Sequence, residues 1–132
     1  MFSAGDAFLV PDDPENPRHY HLWIIISDPI ANQEENLWVR ITTWEPWKKD
    51  DACTLDRADG YAFIKHLSSV DYRNARIEKA ARIEKWLAAG QVKVQPNVGA
   101  ALLAKIRAGA QETRFLANKC LLFLADQGLL QL

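Results

Sequence analysis

The sequence predicts an α+β fold, a small and strongly bent sheet or barrel followed by two or three helices. Three observations carry this. The first half alternates short runs of aromatic and β-branched residues with turns rich in proline, glycine, Asp and Asn. From about Asn74 the apolar residues recur at spacings of three and four instead of two. At 132 residues the chain suffices for one core and is too short for two independent ones.

Taken in order, "DAFLV" predicts a first strand, closed by "PDDPENP", whose prolines forbid helix and predict an exposed loop. "HYHLWIIIS" predicts the second strand on its aromatic and β-branched content. "LWVRITTW" predicts the third, with Leu37, Val39 and Ile41 alternating against Trp38, Arg40 and Thr42. The polar "EPWKKDDACTLDRADG" predicts a long loop with a short strand at Cys53 to Leu55 and a turn at Gly60. "YAFIKH" predicts a fourth strand, after which "SSVDY" begins a new element.

"ARIEKAARIEKWLAAG" predicts a helix with Ile77, Ala80, Ala81, Ile83, Trp86 and Leu87 on its apolar face and Gly90 as its stop. Its internal echo is too short for a structural repeat and reflects helix-forming composition. "QVKV" predicts a brief extended piece. Asn97 is the expected cap of a second helix carrying Leu102, Leu103 and Ile106, and Thr113 that of a third carrying Leu116, Cys120, Phe123 and Leu124. The expected division is a barrel over 1–77 and a helical extension over 78–132, packed on the barrel or forming an oligomer interface.

With 48% hydrophobic and 25% charged residues, the composition excludes disordered and fibrous classes. No secretory leader is legible, and no apolar run approaches the roughly 20 residues that cross a bilayer. A cytoplasmic protein without a membrane partner is the expectation, with Cys53 and Cys120 reduced. Net charge is −1, but residues 1–77 hold thirteen acids and eight bases, and residues 78–132 four acids and eight bases. Attraction between the halves is the simpler reading, and an anionic partner such as RNA the sharper one.

The order "GDAFLV", "HLWIIIS", "LWVRITTW", charged loop and "FIKHLSSVDYRNARI" resembles the MazF/PemK family of toxin endoribonucleases over about residues 4–78. Gly5 and Asp6 match the family's opening pair, Ser27 the end of its apolar strand, Thr42 and Thr43 its Thr-Ser, and Arg76 and Ile77 its late Arg-Ile. The resemblance implies an SH3-like barrel, a homodimer and metal-independent cleavage of single-stranded RNA through a 2′,3′-cyclic phosphate. It also implies an antitoxin partner that blocks the RNA groove, and no cofactor. Two departures stand out. Where the family carries Arg-Pro before the apolar strand, only Arg18 of "PENPRHYH" corresponds. Where active members carry Arg and Asp one residue apart on the late strand, the ungapped positions are Val70 and Tyr72, and a one-residue shift brings in Asp71.

By the resemblance, Thr42 and Thr43 hold hydroxyls against the substrate phosphate, joined by Arg18; on propensity alone they are ordinary strand residues. Trp44 and Trp47 are candidates to stack on bases, with burial expected for at least one. Cleavage by the RNA's own 2′-hydroxyl needs a proton acceptor, a proton donor and positive charge at the transition state. His19, His21, His66 and Asp71 supply the first two types, and Arg18, Arg40, Lys65 and Arg73 the third, with His66, Asp71, Arg73 and Lys65 as the catalytic set. His19 and His21, with Cys53 and His66, lack zinc-site spacing, so no metal is expected. The rival class is a non-catalytic SH3-like protein-binding module that has lost the nuclease residues.

Overall fold

The computed structural model describes residues 1–13 and 15–132. The alternating runs form β1 (Ala7–Asp13), β2 (Asn16–Ile25) and β3 (Glu35–Thr43), followed by the two-residue β4 (Thr54–Leu55), β5 (Ser68–Lys79) and β6 (Lys93–Gln95). They make one curled sheet in the order β4-β5-β3-β2-β1-β6, with every pairing antiparallel. Three helices, α1 (Ala80–Ala88), α2 (Ala100–Glu112) and α3 (Asn118–Asp126), complete an α+β architecture.

Successive side chains of a strand point to opposite faces, and here both faces are covered. On one, Leu22, Ile24, Leu37 and Val39 pack with Ile106 of α2 and Leu124 of α3. On the other, Phe8, Trp23, Ile25 and Trp38 pack with Ile83 and Trp86 of α1. Trp38 is the centre of that second cluster, stacked on Trp86 at 6.1 Å and tilted against Trp23 at 5.2 Å. Burial on both sides explains why "HLWIIIS" reads as a continuous apolar run.

Four expectations are corrected. "PDDPENP" is not a plain loop, because Pro11 pairs with Tyr20 and Asp13 with Asn16 in an extended hairpin; Pro14 lies outside the described residues. Proline is tolerated at position 11 because β6 pairs only with Ala7 to Leu9, so this part of β1 is a sheet edge. "YAFIKH" is not a strand: Tyr61 and Ile64 are buried three residues apart, and the Ile64 amide donates to the Tyr61 carbonyl at 3.0 Å, closing a turn. The missing strand is β5, which begins at Ser68. Finally, Asn97 and Thr113 do not cap the helices assigned to them. The Asn97 amide reaches back to the Ala4 carbonyl and Asp6 carboxylate, both at 3.0 Å, and Thr113 ends α2.

The pentapeptide ARIEK occurs twice, and the two copies fold differently. This also corrects the helix expected over the whole of "ARIEKAARIEKWLAAG": residues 75–79, Ile77 among them, end β5, paired with β3 through Ile77–Leu37 and Arg76–Trp38, and of the two copies only that at residues 81–85 lies in α1. Intrinsic propensity is identical in both. Pairing with β3 decides the first copy and burial of Ile83 the second.

Two glycines permit close approaches that join the helical segment to the sheet. Gly5, at φ +89°, lies where an added Cβ would sit 2.7 Å from Asn97 Oδ1. Gly109 of α2 admits the Tyr72 hydroxyl and Cys53, which an added Cβ would meet at 2.3 and 2.7 Å. Tyr72 in turn donates to the Ile106 carbonyl at 2.6 Å, and Arg107 Nε donates to the Ile26 carbonyl at 2.7 Å. Lys105 pairs with Asp59 at 2.8 Å across the oppositely charged halves of the chain.

Candidate functional site

The site is built by a large bulge in β5. Trp38 pairs with Arg76 and Arg40 with Asp71, so one residue of β3 stands opposite the four residues 72–75. Such an insertion bends the strand and re-aims its side chains. Tyr72 turns into the core, where it is fully buried, while Asp71, Arg73 and Asn74 line a cleft of about 470 Å³ on the other side. The opposite wall comes from the loop after β3, which contributes Trp47, Lys48, Lys49 and Asp50.

At the cleft floor, Asp71 Oδ2 accepts from Arg40 Nε at 2.7 Å and from Asn74 Nδ2 at 2.8 Å. Its Oδ1 takes no hydrogen bond from the described residues. Thr42 Oγ1 lies 3.4 Å from Ser69 Oγ on the neighbouring strand. Four cationic side chains, Arg40, Lys48, Lys49 and Arg73, face two carboxylates, Asp50 and Asp71, so the cleft is locally basic although the first half of the chain is acidic. Arg73 lies over the ring of Phe115 at 4.5 Å, which fixes a guanidinium at the cleft wall without a carboxylate partner among the described residues.

The loop that closes the cleft is pinned at both ends. Lys48 Nζ donates to the Thr43 carbonyl, and Asp50 Oδ1 accepts from Thr113 Oγ1 at 3.1 Å. Between them Lys49 has φ 61°, the one positive value at a residue other than glycine among the described residues. That conformation costs a β-carbon-bearing residue about 1–2 kcal/mol, and such strain concentrates at functional sites. Burial pushes the Asp50 carboxyl above the ordinary carboxylate range, opposed by Thr113 and the backbone of Ala52 and Tyr72 and reinforced by the Asp71 charge.

Of the residues singled out in the sequence, Arg40, Thr42, Trp47, Asp71 and Arg73 come together in this cleft. Thr43 follows Thr42 in the strand and so points to the other face, where its Oγ1 lies 3.1 Å from His66 Nε2. His66 and Lys65 are exposed and outside the cleft lining, and the Lys65 carbonyl accepts from Arg57 Nε. Arg18 is exposed in the β1–β2 hairpin, also outside the lining. Trp44 is half-buried with its amide bonded to the Leu67 carbonyl, whereas Trp47 is 70% exposed, with Lys48 Nζ 5.6 Å from its ring centre.

Of the late-strand positions, Val70 and Tyr72 are both fully buried, and Asp71, not Tyr72, lines the cleft. His21 Nδ1 lies 2.6 Å from Asp12 Oδ1, and no group of three metal-ligating side chains occurs among the described residues. Cys53 and Cys120 are free and buried. Burial raises the Cys53 thiol to about 11, which removes it as a nucleophile at neutral pH.

Sequence reasoning missed Lys48, Asp50, Ser69, Asn74 and Phe115. "KKDD" lies in what read only as a long polar loop, and Phe115 stands in the helical segment with no local motif tying it to Arg73. No helix is long and apolar enough to cross a membrane among the described residues. No family model, curated protein or solved structure matches the chain.

Proposed function

We propose that the protein is a metal-independent endoribonuclease of the MazF/PemK type, acting on single-stranded RNA from an SH3-like sheet in a toxin–antitoxin or defence setting. The observation that carries this reading is the Arg40–Asp71–Asn74 constellation on the floor of a basic cleft beside the exposed Trp47. Cations and hydroxyls bind phosphate without regard to sequence, and an exposed indole offers a stacking surface to any base. Arg40, Arg73 and Lys49 supply positive charge to the scissile phosphate, and Thr42 a hydroxyl.

In this mechanism Asp71 Oδ1 takes the proton of the ribose 2′-hydroxyl. The 2′-oxygen then attacks phosphorus and the bond to the 5′-oxygen breaks. The 5′-oxygen leaves with a proton from the Lys48 ammonium, giving a 2′,3′-cyclic phosphate and a 5′-hydroxyl end. Arg40 and Asn74 orient the carboxylate, and the guanidinium of Arg73 offsets charge that accumulates at the phosphate. Thr43 and His66, which face away from this cleft, act at most on its rim. Homodimerisation, an antitoxin that covers the cleft and a cytoplasmic location belong to the same proposal.

A second reading has its own support. Asp71 is only 17% exposed and engaged by two neighbours, which also describes a structural ion pair in a non-catalytic RNA- or protein-binding module. Induced expression in a bacterial host separates the two. The nuclease reading predicts growth arrest by the wild-type chain and its relief by Asp71→Asn at equal protein level. Growth unaffected by folded, expressed wild-type protein counts against it.

A further inference from the structure

A second concavity of about 430 Å³ lies on the same side of the sheet as Trp23 and Trp86, between the end of α1 and the β1–β2 hairpin. Its walls include Leu9, Val10, Tyr20 and Trp86, and its cations are Arg76 and Lys93. Asp12 also borders it, but that carboxylate is taken by His21 at 2.6 Å. Arg76 is held over the Trp23 ring at 5.2 Å and has no carboxylate partner among the described residues. Apolar and aromatic walls with a positioned guanidinium fit a ligand that is flat at one end and anionic at the other.

Its relation to the cleft narrows the choice of ligand. Asn74 lines the cleft and Arg76 the concavity, two residues apart on β5. Trp23, under the Arg76 guanidinium, is the register partner of Arg40 on the cleft floor. The two sites therefore adjoin along one basic and aromatic strip. We propose that this concavity binds a nucleotide adjoining the scissile one, with its base against Val10 and Trp86 and its phosphate on Arg76 and Lys93. The inference rests on the endoribonuclease reading for the direction of the strand, and on the local geometry for the pocket.

The test is titration of the isotope-labelled full chain with adenosine 5′-monophosphate, adenosine and inorganic phosphate separately, followed by amide and indole NMR shifts. The nucleotide is expected to give saturable shifts at the Trp86 indole and the Gln91 and Lys93 amides, larger than those from phosphate or adenosine. Loss of one charge-assisted contact in Arg76→Gln should weaken that binding about tenfold. Lys93→Gln, at an exposed site, gives the same readout should Arg76→Gln fail to fold. Shifts confined to the cleft, shifts reproduced by phosphate alone, or no shifts overturn the pocket. RNA cleavage by Arg76→Gln with an unchanged KM would also overturn it while leaving the nuclease reading intact. Pocket binding by a chain that cuts no RNA would do the reverse.

Discussion

Gly109→Ala places a methyl group where α2 meets the β5 bulge. In a free helix the change is favourable by about 1 kcal/mol, because glycine is the poorer helix former. Here the new Cβ would lie 2.3 Å from the Tyr72 hydroxyl, 2.7 Å from Cys53 Cβ and 3.2 Å from the Ala52 carbonyl. None of these is the end of a flexible side chain free to move aside. Overpacking of this kind costs about 1–3 kcal/mol, and prising the buried Tyr72 hydroxyl from the Ile106 carbonyl adds about 1–3 kcal/mol. The steric and hydrogen-bond terms exceed the propensity gain, for a net loss of about 1–5 kcal/mol. Urea denaturation monitored by tryptophan fluorescence reads this directly, and thermal melts should fall by roughly 3–5 °C per kcal/mol. The double variant with Tyr72→Phe should recover part of the loss, since it removes the atom struck first. A Gly109→Ala chain as stable as wild type, or more so, would refute the seating of α2 on the bulge.

Gly5→Ala, at a positive φ and facing Asn97, should lower stability by about 1–3 kcal/mol, measured by the same urea midpoint; no change would show that Asn97 is not seated there. Asp50→Asn should raise stability at neutral pH. A carboxyl whose folded pKa is raised binds its proton more tightly in the native state, so its carboxylate burdens the fold once pH exceeds that folded value. The wild-type deficit should shrink as pH falls through the raised folded pKa, and a deficit that grows on acidification would contradict the assignment. Thr43→Ala and His66→Ala should leave cleavage within about threefold of wild type, whereas loss of a general base typically costs about 10²–10⁴-fold. Losses in Thr43→Ala and His66→Ala as large as that of Asp71→Asn, in single-turnover assays, would move the catalytic centre to the rim.

The strands were legible where one physical signal acted alone. Leu37, Val39 and Ile41 alternate because one face of β3 meets α2 and α3, and that pattern survives in the string. It failed where the partner was distant. Nothing within ARIEK distinguishes the copy that pairs with Leu37 and Trp38 from the copy that buries Ile83. "YAFIKH" carries strand-forming types but finds a turn, with the Tyr61 hydroxyl anchored on the Pro96 carbonyl at 2.7 Å.

The site shows the same division. Asp71 was within reach of the sequence because the MazF/PemK resemblance pointed to its neighbourhood, but only the bulge decides that it, and not Tyr72, meets the cleft. Thr42 and Thr43 looked equivalent until alternation sent them to opposite faces. Phe115 and Thr113 shape the cleft through Arg73 and Asp50, contacts 42 and 63 residues away along the chain, which no local pattern encodes.

The most direct test of the central proposal is incubation of purified wild-type and Asp71→Asn protein with a long single-stranded RNA, with and without EDTA, mapping ends by primer extension. A nuclease acting through Asp71 gives discrete, EDTA-resistant cuts with 5′-hydroxyl ends that vanish in a folded Asp71→Asn chain. Intact RNA in the presence of folded wild-type protein, or cuts undiminished by the substitution, would contradict it.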